Sequence, residues 1–155
     1  MSAALKLTPD EKACVYILSD IFLDNDLPDK HLDWIARDLA ELPFSISEIE
    51  KMFWDDVFPP LIWNLAIGYG GQWRGFHKQT VWDAVEAIRA GPPIFTPLIS
   101  GMRRLVWGWM VSKDWENVKR RLVNRRFIDA SCRLNVRADT LRRRPYKRAY
   151  RVAFN

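Results

Sequence analysis

The sequence predicts an all-α protein, a compact bundle of about six or seven short helices with a glycine-rich loop at 68–76 and a basic C-terminal arm. Three observations predict it. Apolar residues recur at steps of three and four from Cys14 to Leu122, the period of an amphipathic helix. Capping boxes stand at Thr8 and Ser45, each with Glu three residues on. Prolines and glycines interrupt the chain between the apolar stripes.

The first helix should start after Thr8, with Pro9 at its first position. Cys14, Ile17, Leu18, Ile21 and Phe22 form its stripe, and Asp24-Asn25-Asp26-Leu27-Pro28 ends it by turn chemistry. A second helix runs from about Asp29 to Ala40, with Leu32, Ile35, Ala36 and Leu39 on one face. A third begins at Ser45 and turns Ile49, Met52, Phe53 and Val57 inward. Pro59-Pro60 should break the chain, with a short helix following from Pro60 to Ala66. Gly68, Gly70, Gly71 and Gly75 mark a loop that turns tightly under Trp73 and Phe76. A helix from Thr80 to Arg89 ends at Gly91-Pro92-Pro93. Thr96-Pro97 opens another, with Leu98, Met102, Leu105, Val106 and Trp109 inward. Ser112 should cap the last clear helix, with Trp115, Val118 and Leu122 inside. After about Phe127 the periodicity weakens. The expected division is therefore a helical domain at 1–127 and a basic arm at 128–155, docked on it.

The 155 residues suit one domain with a self-sufficient core. Eight tryptophans are many for this size, and most should fill the core. The net charge of +5 divides unevenly. Residues 1–90 carry 8 Lys and Arg against 15 Asp and Glu, a net of −7; residues 91–155 carry 16 against 4, a net of +12. Such asymmetry implies charged partners, or two halves that face each other. Cys14 lies in an apolar stripe and Cys132 has no CxxC neighbour, so a reducing compartment, the cytoplasm, is expected. Met1 to Thr8 has no long apolar run of a signal peptide. Ile94 to Val111 carries Arg103 and Arg104, which are costly in lipid, so it reads as a buried helix of a soluble protein.

The motifs of catalysis and metal binding mostly fail. Counting from Asp24, an EF-hand loop would need Gly where Asp29 stands and Glu where Ile35 stands. Asp55 and Asp56 are neighbours on a helix and point apart; one of them should bond donors in the glycine loop. His31 and His77 each lack a metal-ligand neighbour. The loop from Gly70 to Gly75 continues into Phe76-His77, not into the Lys-Ser/Thr of a phosphate-binding loop. No metal and no cofactor are expected.

Residues from about Val15 to Val85 resemble an uncharacterised family of small bacterial proteins, the DUF7079 family. The resemblance rests on Phe22-Leu23-Asp24, on Ile35-Ala36 with Leu42-Pro43-Phe44-Ser45, and on Asp56-Val57-Phe58-Pro59 with Asn64-Leu65. It continues in Gly71-Gln72-Trp73-Arg74-Gly75-Phe76. Asp56 stands where the family pattern has Glu. The resemblance implies no catalytic residues. Small bacterial proteins of this kind often serve as partners or immunity factors for toxins.

The first expectation is thus a non-enzymatic protein-binding module, of an immunity type that blocks a toxin by contact. Its docking residues would be Asp24, Asp26, Asp29, Asp33, Asp38 and Glu41, with Trp34 as an aromatic anchor, since an acidic face speeds association with a basic partner. One alternative is nucleic-acid binding by Arg142, Arg143, Arg144, Lys147, Arg148 and Arg151, interleaved with Tyr146 and Tyr150. The other is an enzyme that joins Asp55 or Asp56 to a histidine near the glycine loop. The oligomeric state is left open.

Overall fold

The computed structural model describes residues 6–23, 27–66, 75–91, 101–102 and 104–142, with the backbone alone for Asn64, Ala66 and 132–142. These residues form helices and no strand. Helix α1 (Pro9–Ser19) has the expected capping box: the Glu11 amide donates to Thr8 Oγ1 and the Thr8 amide donates to Glu11 Oε2. One 3-10 turn, Asp20–Phe22, completes it and buries Ile21 and Phe22. Helix α2 (Asp29–Ala40) buries Leu32, Ile35, Ala36 and Leu39, the face the sequence predicts. Helix α3 (Ile46–Lys51) is capped by Ser45 and Glu48.

Pro59-Pro60 do not break the chain. Helix α3 passes into a π turn, Met52–Val57, and on into α4 (Phe58–Ala66). The prolines offer no N–H to carbonyls one turn back, at Asp55 and Asp56. The wider π turn is the local adjustment that lets the helix run on; its Phe58 amide donates to Phe53, five residues back. Helix α5 (Lys78–Ala90) starts two residues before the expected Thr80, with His77 at its N-cap. Of the glycine loop, Gly75 is described and has φ 115°, a conformation that favours glycine; residues 67–74 lie outside the described residues.

The last helix departs most from expectation. Residues 104–107 are helical, and α6 (Trp109–Arg142) then continues for 34 residues. Ser112 does not cap it. Its hydroxyl donates to the Gly108 carbonyl within the first turn, at 2.5 Å. Met102, Leu105, Val106 and Trp109, expected inward, are 51–87% exposed. The helical turn here meets the bundle through a different face: the Arg104 guanidinium lies 4.1 Å from the Trp54 ring, and Trp107 packs on Trp63. Helix α6 also crosses the expected boundary at 127 without interruption. None of the described helices is long and apolar enough to cross a membrane.

Helix α2 lies along α6, and α1 packs on α5 and on the π turn. Phe22, Phe53, Trp54, Phe58 and Trp115 form an aromatic centre in which Phe53 and Trp115 stack at 4.6 Å and 11°. Cys14 is fully buried beside it. Burial, with Asp56 and Glu11 adding, pushes the Cys14 thiol up to about 12. Only the thiolate attacks disulfide reagents, so a Cys132→Ser variant is expected to show no thiol reaction at neutral pH until denaturant unfolds it. Rapid labelling of the folded variant would contradict this burial.

Candidate functional site

A groove of about 450 Å³ opens between the start of α1, the α2–α3 connection, the α3–π segment and the end of α5. Its floor is apolar, from Phe44 and Met52, and its walls are charged, from Glu11, Glu48, Asp55, Asp56, Lys51 and Arg89. Four acids against two bases give the lining a net charge of −2.

Most of these charges already have partners. The Arg89 guanidinium donates twice to Asp56, Nη2 to Oδ2 at 2.6 Å and Nε to Oδ1 at 3.2 Å, and through Nη1 to Glu11 Oε1 at 2.8 Å. This fork-shaped pairing is the strongest common form of ion pair. All three side chains are largely buried. The two acids, Asp56 above all, hold the Arg89 pKa above its ordinary value. Burial alone would raise the Glu11 carboxyl, but the Thr8 amide and Arg89 outweigh it and hold the pKa below its usual range. Hydrogen bonds from Ser45 likewise hold Glu48 low.

Asp55 differs. Among the described residues it takes no hydrogen bond and forms no ion pair. Partial burial and the neighbouring Asp56 charge push its carboxyl above the usual range, against the pull of Lys51 and Arg104. Asp55 is therefore a carboxylate without an ion-pair partner among the described residues, at the edge of an apolar-floored groove, on a π turn. Such turns frequently mark functional segments.

The acidic face expected on α2 is largely neutralised. Arg121 of α6 donates to Asp33 Oδ1 at 2.6 Å and to Asp29 Oδ1 at 2.5 Å. Asp38 takes the Arg37 guanidinium at 2.9 Å. Trp34 is 45% exposed but has Lys30 over its ring at 5.1 Å and His31 beside it. Glu41 is exposed at the C-cap of α2. Asp24 and Asp26 lie outside the described residues, as do the side chain of Arg142 and all of Arg143, Arg144, Lys147, Arg148 and Arg151. The two oppositely charged halves of the sequence thus face each other in part, also where Lys119 pairs with Glu50 at 2.9 Å.

The histidines do not meet Asp55 or Asp56. His31 Nε2 lies 3.7 Å from Asp20 Oδ2, too far for a hydrogen bond, and His77 is exposed at the start of α5. Asp56 binds Arg89; the bond expected from the glycine loop to Asp55 or Asp56 involves residues 67–74, which lie outside the described residues. No group of three or more His, Cys, Asp or Glu among the described residues could hold a metal ion.

Sequence reasoning missed Arg89 and with it the groove. A signal was present. Val81, Val85 and Arg89 fall on one helical face at steps of four, and the two valines are fully buried. An arginine continuing a buried stripe must meet carboxylates.

A family profile described as a domain of unknown function, DUF7079, matches residues 9–121. No curated protein and no solved structure matches the chain.

Proposed function

The chain belongs to the DUF7079 family, and on that premise we propose that it is a non-enzymatic protein-binding module whose groove beside the π turn receives a basic side chain of a partner protein. Asp55 carries this reading. Among the described residues its charge has no ion-pair partner, and a guest arginine or lysine would supply one. Phe44 and Met52 suit the aliphatic stem of such a guest, which arginine and lysine lay along apolar surface. The Arg89 clamp holds the wall rigid, so little ordering cost attends binding.

An immunity-type role is the form of this reading that charge steering serves best, with the net-acidic groove meeting a basic toxin quickly and blocking it by contact. In that form the pair meets in the cytoplasm of a bacterial cell, where a buried Cys14 thiol stays reduced.

Calorimetry with an arginine-rich peptide tests the reading. The wild-type chain is expected to bind with a dissociation constant on the order of 0.1–1 mM at low salt. Asp55→Asn should weaken binding about five- to tenfold, whereas Asp38→Asn, on the neutralised α2 face, should not. Equal loss in both variants would reduce the effect to net charge and remove the groove from the account.

A further inference from the structure

We propose that the second half of α6 is a docking helix for an amphipathic helix of a partner protein, apolar along its seam and acidic at its flanks. This surface is separate from the groove, and the two proposals stand or fall independently.

The first half of α6 is held by the bundle. Val111, Trp115, Val118 and Leu122 are buried. Arg126 fastens the last packed turn, donating to the Phe44 carbonyl at 2.6 Å and to the Leu39 and Leu42 carbonyls at 3.3 and 3.4 Å. Residues 127–130, a full turn, are all exposed, and the helical backbone continues to Arg142. An isolated helix of this length is marginal in water unless its apolar face is covered.

That face exists, and it is not the face the bundle buries. At about 100° per residue, Val123, Phe127, Ala130, Leu134, Ala138 and Leu141 fall within an arc of about 80°. The arc is centred about 130° away from the buried stripe. Phe127, Leu134 and Leu141 recur at steps of seven, the spacing of a coiled-coil seam. Where the structure gives side-chain exposure, it is high: Val123 is 44% and Phe127 73% exposed. The family match ends at Arg121, so this stripe lies wholly beyond it.

The flanking charge selects the occupant. Residues 123–142 carry five arginines against Asp129 and Asp139, and residues 143–151 add five more cations. A second copy of the helix, or the chain's own C-terminal residues, would bring like charge to like. A nucleic acid would answer the charge but leave the apolar stripe uncovered. A bilayer calls for a broad face of bulky residues. This stripe is narrow and has alanine at Ala130 and Ala138, which admits the knobs of a neighbouring helix. A helix with leucine-type seam residues between Asp and Glu satisfies both the stripe and the arginines.

The test uses the full chain and a synthetic heptad peptide with leucine at its seam positions and glutamate flanking them. The peptide should bind, and its lysine-flanked counterpart should not. Phe127→Ser and Leu134→Ser remove apolar surface without changing charge. Each should weaken peptide binding about tenfold or more, while the thermal midpoint stays within a few degrees because Phe127 lies outside the core. Unchanged affinity in the serine variants would show attraction by charge alone and overturn the proposal. So would a failure of the glutamate peptide to bind. Sedimentation showing a dimer abolished by Phe127→Ser, or binding to phosphatidylserine vesicles without peptide binding, would assign the stripe to another occupant and also overturn it.

Discussion

Replacing Trp115 by alanine is expected to remove about 3–5 kcal/mol of folding free energy, the usual cost of deleting a buried indole. Trp115 is fully buried and stacks on Phe53, which in turn meets Phe22 and Trp54. Its indole N–H also points to Glu50 Oε1, at 3.4 Å, and Glu50 is held by Lys119. The substitution therefore opens a cavity where α6 meets the π turn and loosens a link between α6 and α3. A domain of this kind has about 5–15 kcal/mol in total, so the variant should unfold at much lower urea. Trp109→Ala is the control, since that residue is 73% exposed; it should change stability by about 0.5 kcal/mol or less. Comparable losses in the two variants would mean that α6 does not sit on the bundle as described.

The second large effect is expected at Arg89. Arg89→Met keeps most of the stem but leaves Glu11 and Asp56 facing each other with little solvent. Breaking a fully buried ion pair costs roughly 3–5 kcal/mol. These side chains retain 14–22% exposure, so about 2–4 kcal/mol is expected at neutral pH. The pH dependence follows from Glu11, whose folded pKa lies below its ordinary 4.5. Its contribution is present in full above the unfolded value and is lost as pH falls through the lower, folded value. The gap between wild type and Arg89→Met should therefore narrow below about pH 4.5. Adding Glu11→Gln and Asp56→Asn to Arg89→Met should restore part of the loss, because the cost lies in the stranded charges. Urea titrations at neutral and acid pH measure both statements, and a gap that widens in acid would contradict the clamp.

Much of the fold was legible because local chemistry determined it. The Thr8 and Ser45 caps and the buried face of α2 follow from residues within a turn or two of one another. The misreadings share a cause: a local pattern has more than one tertiary use. Met102, Leu105, Val106 and Trp109 make a helical stripe, but helical period alone does not say which face meets the core, and Arg104 and Trp107 took that place. The periodicity after Phe127 weakens in the sequence because the apolar stripe changes face there. The buried side ends at Leu122 and the exposed side starts at Val123, so no single face carries on although the helix does. Pro59-Pro60 read as a break because a π turn leaves no plain sequence mark. The groove depends on Arg89 reaching Asp56, 33 residues away, and Glu11, 78 away, pairings that no local spacing encodes. The neutralised face of α2 has the same origin, since Arg121 lies 88 residues from Asp33.

Asp55 separates a docking carboxylate from a structural one. Its folded pKa is raised, so its charge is unfavourable to the folded state above the unfolded pKa. The most direct measurement takes one Asp55→Asn preparation through urea unfolding at neutral pH and titration with the arginine-rich peptide. Stability equal to or above that of the wild type, together with weakened peptide binding, is the predicted result. A variant that loses stability, or one that keeps full affinity for the peptide, would contradict the docking role of the groove.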